Sequence, residues 1–272
     1  MTLIQTLLIS VIQGITELFP ISSVAHAVLT PFVFGWNLTP EFLKHNFLPF
    51  VVMLHLGTAV ALLAFFWRDW LDFAKSTVDA RATVARAILF RVIIGSVPAA
   101  IIGLVLEKEL KGLFSSVISA AVFLIVNGGV LYFGERWQGR GAKRIEEIGY
   151  VDALLVGLAQ ASALVPGFSR SGASMVAGFW TGLSHGESAR FSMLLGTPII
   201  AGAALLEVPK LFHGESGDVL KMGLVGGVVS GIVAYLSVWA LMSWFKRHEI
   251  NAMLPFALYC WVVGAVVLVM AH

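Results

Sequence analysis

The 272-residue chain is expected to be an all-α polytopic membrane protein, with six transmembrane helices and two re-entrant helical hairpins in an inverted-topology repeat. Three observations lead there. Hydrophobic residues make up 58% of the chain and charged residues 12%, against roughly a quarter charged in soluble domains. Mean hydropathy is +0.88. Six apolar runs are long enough to cross a bilayer, and two more are broken near their middles by polar motifs. The net charge of +2, with no basic block, gives no reason to expect a nucleic-acid partner. A single cysteine, Cys260, excludes an internal disulfide and a cysteine metal cluster. The N-terminus lacks the basic region of a signal peptide, so residues 1–19 are expected to stay in the mature protein.

The expected spans are 47–67, 87–106, 113–134, 190–207, 222–245 and 252–271. Arg86 and Arg91 fall at the end of the second, where long stems can snorkel to the surface. Basic residues set the orientation. Interval 68–91 carries Arg68, Lys75, Arg81, Arg86 and Arg91, interval 135–150 carries Arg136, Arg140, Lys143 and Arg144, and Lys246 and Arg247 follow the fifth span. The positive-inside rule makes these cytoplasmic. The other loops hold only Lys44, Lys108, Lys111, Lys210 and Lys221. Interval 36–46 is then outside. Two spans already separate 135–150 from 246–251, so segment 151–183 must enter from the cytoplasm and return to it. By symmetry, segment 3–35 is expected to dip in from the opposite face.

Short internal matches support the symmetry. "LFPISS" (18–23) resembles "LVPGFS" (164–169), and "LGTAV" (56–60) resembles "LGTPI" (195–199). The chain reads as one membrane domain, 1–272, with repeat halves of about 1–134 and 151–272 joined by the cytoplasmic loop 135–150. Inverted repeats place their site near the midplane, where broken helices of the two halves meet.

Pro20 and Pro166–Gly167 mark the breaks, and the serines after them can cap new half-helices whose N-terminal ends attract anions. Arg170 adds a forked donor set suited to phosphoryl oxygens. Glu17 is an acid deep in an apolar segment, with Gln13 one turn earlier on the same face. Such a group is costly and usually functional. It could coordinate Mg2+ or Ca2+ beside a phosphate, or pair with Arg170, or cap a backbone break. His26 could be acid, base or nucleophile, or could bond a loose carbonyl. Ser22 or Ser23 could be the nucleophile instead, and spacing alone does not choose between a phosphohistidine, a phosphoserine and direct attack by water. His55, mid-span before Gly57, is expected to satisfy a neighbouring polar group rather than do chemistry. Asn127 is expected to bond between helices, and Glu187 and Arg190 to pair on one helix face. Gln160 is read in the same structural way. The eight tryptophans lie mostly near span ends, as interfacial anchors do.

These residues resemble the bacterial undecaprenyl-diphosphate phosphatase family, the bacitracin-resistance proteins. The resemblance rests on an [E/Q]xxxE pattern met by Gln13 and Glu17, on the proline–serine–serine–histidine stretch, on "PGxSRSG" met by Pro166 through Gly172, and on "GESARFSMLLGTP" (186–198). It implies a membrane enzyme that hydrolyses undecaprenyl diphosphate to the monophosphate and inorganic phosphate, recycling the lipid carrier of cell-wall synthesis. It also implies a plasma-membrane location, a site open to the periplasm and a divalent cation, Mg2+ or Ca2+. Carried over, Gln13 and Glu17 would serve metal and diphosphate. Ser23 and His26 would be the nucleophile or proton-transfer pair, with Ser22 beside them. Arg170, Ser169, Ser171, Gly172 and Ser174 would cradle the phosphates. Expected partners are the polyprenyl diphosphate and membrane lipids, with a homodimer as the assembly considered. Val24 and Ala25 stand where the family commonly has Thr-Gly, and Phe168 and Ser174 also depart, which could reshape the loop. The alternative function is a transporter or flippase of a polyprenyl phosphate, because inverted repeats with half-helix ends are also transporter architecture.

Overall fold

The structure is a computed structural model that describes residues 1–38, 46–105, 116–137, 141–212 and 217–272. Lys44, Lys108, Lys111, Arg140 and the first residues of the expected span 113–134 lie outside the described residues. The described residues are helical, without a strand beyond one isolated bridge between Lys143 and Leu183. In chain order the helices are α1 (Leu3–Thr16), α2 (Ser23–Val33), α3 (Phe47–Phe65), α4 (Trp67–Ser76), α5 (Thr83–Val105) and α6 (Val117–Arg136). They are followed by α7 (Tyr150–Ala161), α8 (Arg170–Trp180), α9 (His185–Phe212), α10 (Gly217–Arg247) and α11 (Leu254–Met270). Among the described residues, four helices (α5, α6, α9 and α10) are long and apolar enough to cross a membrane, and α3 with α4 adds a bent fifth. The chain is thus a multi-pass membrane protein. The segment expected as the sixth span forms α11, a shorter apolar helix of 17 residues, or about 25 Å at helical rise.

Both expected breaks are present. α1 ends at Thr16 and α2 begins at Ser23, while α7 ends at Ala161 and α8 begins at Arg170. Ser22 caps α2 by accepting from Ala25 N (3.3 Å), and Ser169 caps α8 by accepting from Gly172 N (3.1 Å). Left-handed backbone falls on Gly167 (φ 109°) and on Ser22 (φ 66°), a conformation that costs a non-glycine residue about 1–3 kcal/mol. Positions 24 and 25, by contrast, lie inside α2. The expectation that a missing glycine there reshapes the turn is therefore corrected: the turn's unusual φ sits upstream, on Ser22.

Two further expectations are revised. The interval 68–91, expected as loop, contains α4 and the first turns of α5, and α4 turns 73° from α3. α4 is helical because its sequence is amphipathic: Phe73 and Ser76 are buried, while Trp67, Leu71 and Lys75 are exposed. Arg91 does not snorkel. It is buried, donating to the carbonyls of Ile148 (2.7 Å), Ala87 (2.7 Å) and Glu146 (3.1 Å), and so pins the segment after α6 against α5. Glu187 and Arg190 do pair, at 3.4 Å, and Arg190 also pairs with Asp69 of α4.

Apolar side chains cover the outside of the long helices as well as the inside. Ile101, Val228 and Val262 are each more than half exposed, which suits a surface facing lipid. Because lipid tails are as apolar as leucine, helix association there rests on close packing, which small residues allow. α3 meets α10 where Gly57 lies against the Gly227 carbonyl, and α5 meets α7 where Gly157 lies against the Gly95 carbonyl. α1 packs on α10 through Gly14, and α11 packs on α6 through Gly128 and Gly264.

Candidate active site

The two breaks meet inside the helical bundle. Asn127, fully buried on α6, donates through Nδ2 to the Pro20 carbonyl (3.0 Å) and accepts at Oδ1 from Ser169 N (3.0 Å). Ser171 Oγ donates to the Phe19 carbonyl (3.1 Å) and contacts Ser169 Oγ (3.0 Å). The backbone groups released by each break are therefore satisfied partly by the other, as buried polar backbone requires. Asn127 does bond between helices, and what it joins are the two interruptions themselves. Asn127→Leu would leave the Pro20 carbonyl and the Ser169 N–H unpaired at ~1–3 kcal/mol each. The expected result is a clearly lower unfolding temperature in detergent; an unchanged one would show that the bridge is not what joins the breaks.

Around this joint lies a buried charged cluster. Glu17, the C-cap of α1, accepts at Oε2 from Ser23 Oγ (2.6 Å) and from Gln13 Nε2 (3.1 Å). His55 Nε2 stands 3.1 Å from the same oxygen. Oε1 faces Arg170 Nη2 at 3.5 Å. His55 Nδ1 lies 2.8 Å from the Val51 carbonyl. Each His55 ring nitrogen thus faces an acceptor, the Glu17 carboxylate on one side and a backbone carbonyl on the other. The sequence reading gave His55 a structural role. The contacts agree with the expectation that His55 satisfies neighbouring polar groups, and the one with Glu17 puts the imidazole beside the charged cluster.

Arg170 opens α8 and reaches back toward α1. Its Nη1 donates to the Ser192 carbonyl (3.2 Å), and among the described residues its buried Nε has no partner. Room for the guanidinium comes from Gly196 on α9, where a Cβ would overlap Nη1. The second LGT motif thus supplies a gap for the guanidinium, whereas the first, at Gly57, supplies a helix contact. Ser174 Oγ donates to the Arg170 carbonyl (2.7 Å) and meets Ser192 Oγ (2.7 Å). Ser192 and Gly196 are site residues that the sequence reading did not single out, although both lie in the quoted segment 186–198.

The remaining expected residues divide. Ser23 pairs with Glu17, not with His26. His26 Nδ1 lies 2.7 Å from the Ser22 carbonyl and Nε2 lies 2.8 Å from the Tyr259 hydroxyl. Ser169, Ser171 and Ser174 are buried with their hydroxyls engaged in protein contacts, and the Gly172 N–H is spent on Ser169. They shape the cradle and hold α8. The unspent donor capacity sits on Arg170, whose buried Nε has no partner among the described residues. Gln160, buried on α7, has neither amide atom bonded among the described residues.

Among the described residues no group of three or more His, Cys, Asp or Glu side chains could hold a metal ion by itself. Mg2+ commonly needs less: one or two carboxylates, with waters and substrate phosphates completing the shell. The donor chemistry here fits that lean pattern. Glu17 Oε2 is taken up by three protein groups, while among the described residues Oε1 meets only the long contact from Arg170.

Residues 6–266 match the family model described as bacitracin resistance protein BacA. The chain is 50% identical over 268 residues to undecaprenyl-diphosphatase 2 of Oenococcus oeni, covering 98% of each chain. It is 47% identical over 272 residues to undecaprenyl-diphosphatase 2 of Chromobacterium violaceum, again with 98% of each covered. It is 41% identical over 290 aligned positions to the undecaprenyl-diphosphatase of Granulibacter bethesdensis, covering all of this chain and 98% of the relative. A buried carboxylate and guanidinium brought together by two broken helices, in a sequence matched almost end to end, place this chain in the bacitracin resistance protein BacA family.

Proposed function

We propose that this protein is an undecaprenyl-diphosphate phosphatase, hydrolysing the terminal phosphoanhydride to leave undecaprenyl phosphate and inorganic phosphate. Its relatives carry that name at 41–50% identity over nearly the whole chain. The observation that carries the reading is the cluster of Glu17, Ser23, His55 and Arg170 at the joint of the two breaks, with Arg170 Nε unpartnered among the described residues. A buried cation with spare donors is the chemistry that receives a phosphoryl group.

In this reading the prolonged apolar tail stays in lipid and the diphosphate enters the pocket. Arg170 binds the terminal phosphoryl oxygens. Ser23 Oγ, already 2.6 Å from Glu17 Oε2, attacks the terminal phosphorus as its proton passes to that oxygen. The bond to the bridging oxygen breaks and undecaprenyl phosphate leaves. Water then hydrolyses the phosphoserine with His26 Nε2 as base, releasing inorganic phosphate. Ser22 and Ser169 hold the half-helix ends, and Ser171, Gly172 and Ser174 fix the cradle. Glu17, through Oε1, and the amide oxygen of Gln13 would hold a divalent cation, Mg2+ or Ca2+, which neutralises charge on the phosphates when bound.

The architecture we assign is six spans and two re-entrant hairpins, α1–α2 and α7–α8, in inverted halves. Reciprocal packing supports it. The first arm of each hairpin lies on the second long helix of the opposite half, α1 on α10 and α7 on α5. α11 counts as the sixth span, its short length accommodated by local thinning of the bilayer. The basic intervals 68–91 and 135–150 support a cytoplasmic side for those loops in a plasma-membrane protein, and in this reading the diphosphate pocket is reached from the periplasm.

The test is phosphate release from C55 diphosphate by purified protein. Turnover that stops with EDTA and returns with Mg2+ or Ca2+ is the expected result. Tight binding of the lipid without turnover would overturn the phosphatase reading in favour of a transporter of polyprenyl phosphates.

A further inference from the structure

We propose that Tyr259 is the positioning residue of His26, holding its Nε2 lone pair in reserve until a phosphate oxygen takes over the phenol. The inference rests on the phosphatase reading for its catalytic meaning, and on geometry for the contact itself.

The Ser22 carbonyl can only accept, so His26 Nδ1, 2.7 Å away, carries the hydrogen. In the neutral ring the lone pair is therefore on Nε2. The group facing that lone pair is the Tyr259 hydroxyl, at 2.8 Å, with the two rings stacked at 16° and 5.6 Å between centroids. The phenol proton then points at the atom that must accept a proton during the reaction. While it stays there, His26 is oriented and its basic atom is capped.

Tyr259 is built to stay in place. It lies in α11, and the residues just before that helix are fixed from outside it: Glu135 accepts from Ala252 N (2.7 Å) and from Met253 N (3.0 Å). The next residue, Cys260, is buried against Asn127, which joins the two breaks. A packing explanation for the hydroxyl is weak, because Tyr259 is 40% exposed and its ring is not enclosed by neighbours. That same exposure lets an incoming anionic headgroup compete for the phenol. The exchange needs no net proton movement: the O–H turns from the imidazole nitrogen to a phosphoryl oxygen, and Nε2 becomes free to act as base.

The contact makes Tyr259→Phe a clean probe, since it keeps the stacked ring and removes the hydroxyl. Carbethoxylation of His26 by diethyl pyrocarbonate, followed by mass spectrometry on substrate-free protein, reads access to its basic nitrogen. Tyr259→Phe should raise that rate several-fold. In phosphate release it should lower kcat about 10-fold with KM within twofold, a part of the ~10²–10⁴ that acid–base catalysis supplies. Unchanged His26 modification would overturn the inference, even if kcat fell, because loss of packing alone could lower kcat. An unchanged kcat would overturn it as well. The modification arm needs no turnover, so absence of phosphate release by the unmodified protein would count against the phosphatase reading and leave the His26–Tyr259 result to stand or fall separately.

Discussion

Arg170→Ala should lower kcat/KM for phosphate release about 10²–10³-fold, the range seen when one donor to a developing anion is removed. That corresponds to ~3–4 kcal/mol of transition-state stabilisation. The size follows from where the guanidinium sits. It is mostly buried, with a side-chain exposure of 12%. Only Nη1 is tied to a carbonyl, and Nε is left without a partner among the described residues. A donor that is desolvated and unspent contributes most when a phosphoryl group reaches it. Arg170→Lys separates two parts of this effect. Lysine restores the positive charge but not the planar fork, so it should recover a minor part of the lost rate. Full recovery by lysine would mean that charge alone matters and that the gap at Gly196 serves another purpose. Wild-type turnover by Arg170→Ala would remove Arg170 from the reaction altogether.

Much of this arrangement is legible in the sequence because it violates local rules. An acid at position 17 and an arginine at 170 inside apolar segments are costly unless they meet. Prolines at 20 and 166 announce where each helix stops, and the serines that follow them do cap the next helices. The capping partners, Ala25 N and Gly172 N, lie three residues away, within the reach of local pattern reasoning. What stays hidden has a different physical character. Tyr259 meets His26 across 233 residues, and Asn127 reaches Pro20 across 107. Contacts of that kind carry no periodicity and no spacing. His55 sits on an otherwise apolar helix, so its pattern is equally that of a helix histidine satisfying a backbone carbonyl, which its Nδ1 also does. α4 was obscured for another reason. Its charges read as a loop on hydropathy, although their three- and four-residue spacing is helical. Glu135 shows the same limit: its carboxylate anchors the residues just before α11 from a helix more than a hundred residues earlier.

Glu17→Gln should abolish most turnover, by about 10³-fold, and the residual rate should no longer respond to EDTA. The carboxylate has two faces with separate tasks. Oε2 receives Ser23, Gln13 and His55, and Oε1 faces Arg170. Glutamine preserves the shape but presents an oxygen on one side and an NH2 on the other. If the amide oxygen keeps the three donors, the NH2 is turned toward Arg170 and toward any cation, which both reject it. If the amide turns over, the NH2 opposes Ser23 and Gln13, and the nucleophile loses the acceptor of its proton. Either orientation forfeits one task, and neither retains the negative charge that balances Arg170. Removing one partner from a buried ion pair also costs ~3–5 kcal/mol of stability, so the variant's unfolding temperature has to be measured beside its activity. Glu17→Asp answers the question that stability leaves open. It keeps the charge and shortens the reach by one methylene, so it should retain folding and EDTA sensitivity while losing most of the rate, because Ser23 is no longer within 2.6 Å of an acceptor. A Glu17→Gln protein that remained active and EDTA-sensitive would show that the cation is held elsewhere and that Ser23 does not depend on this carboxylate.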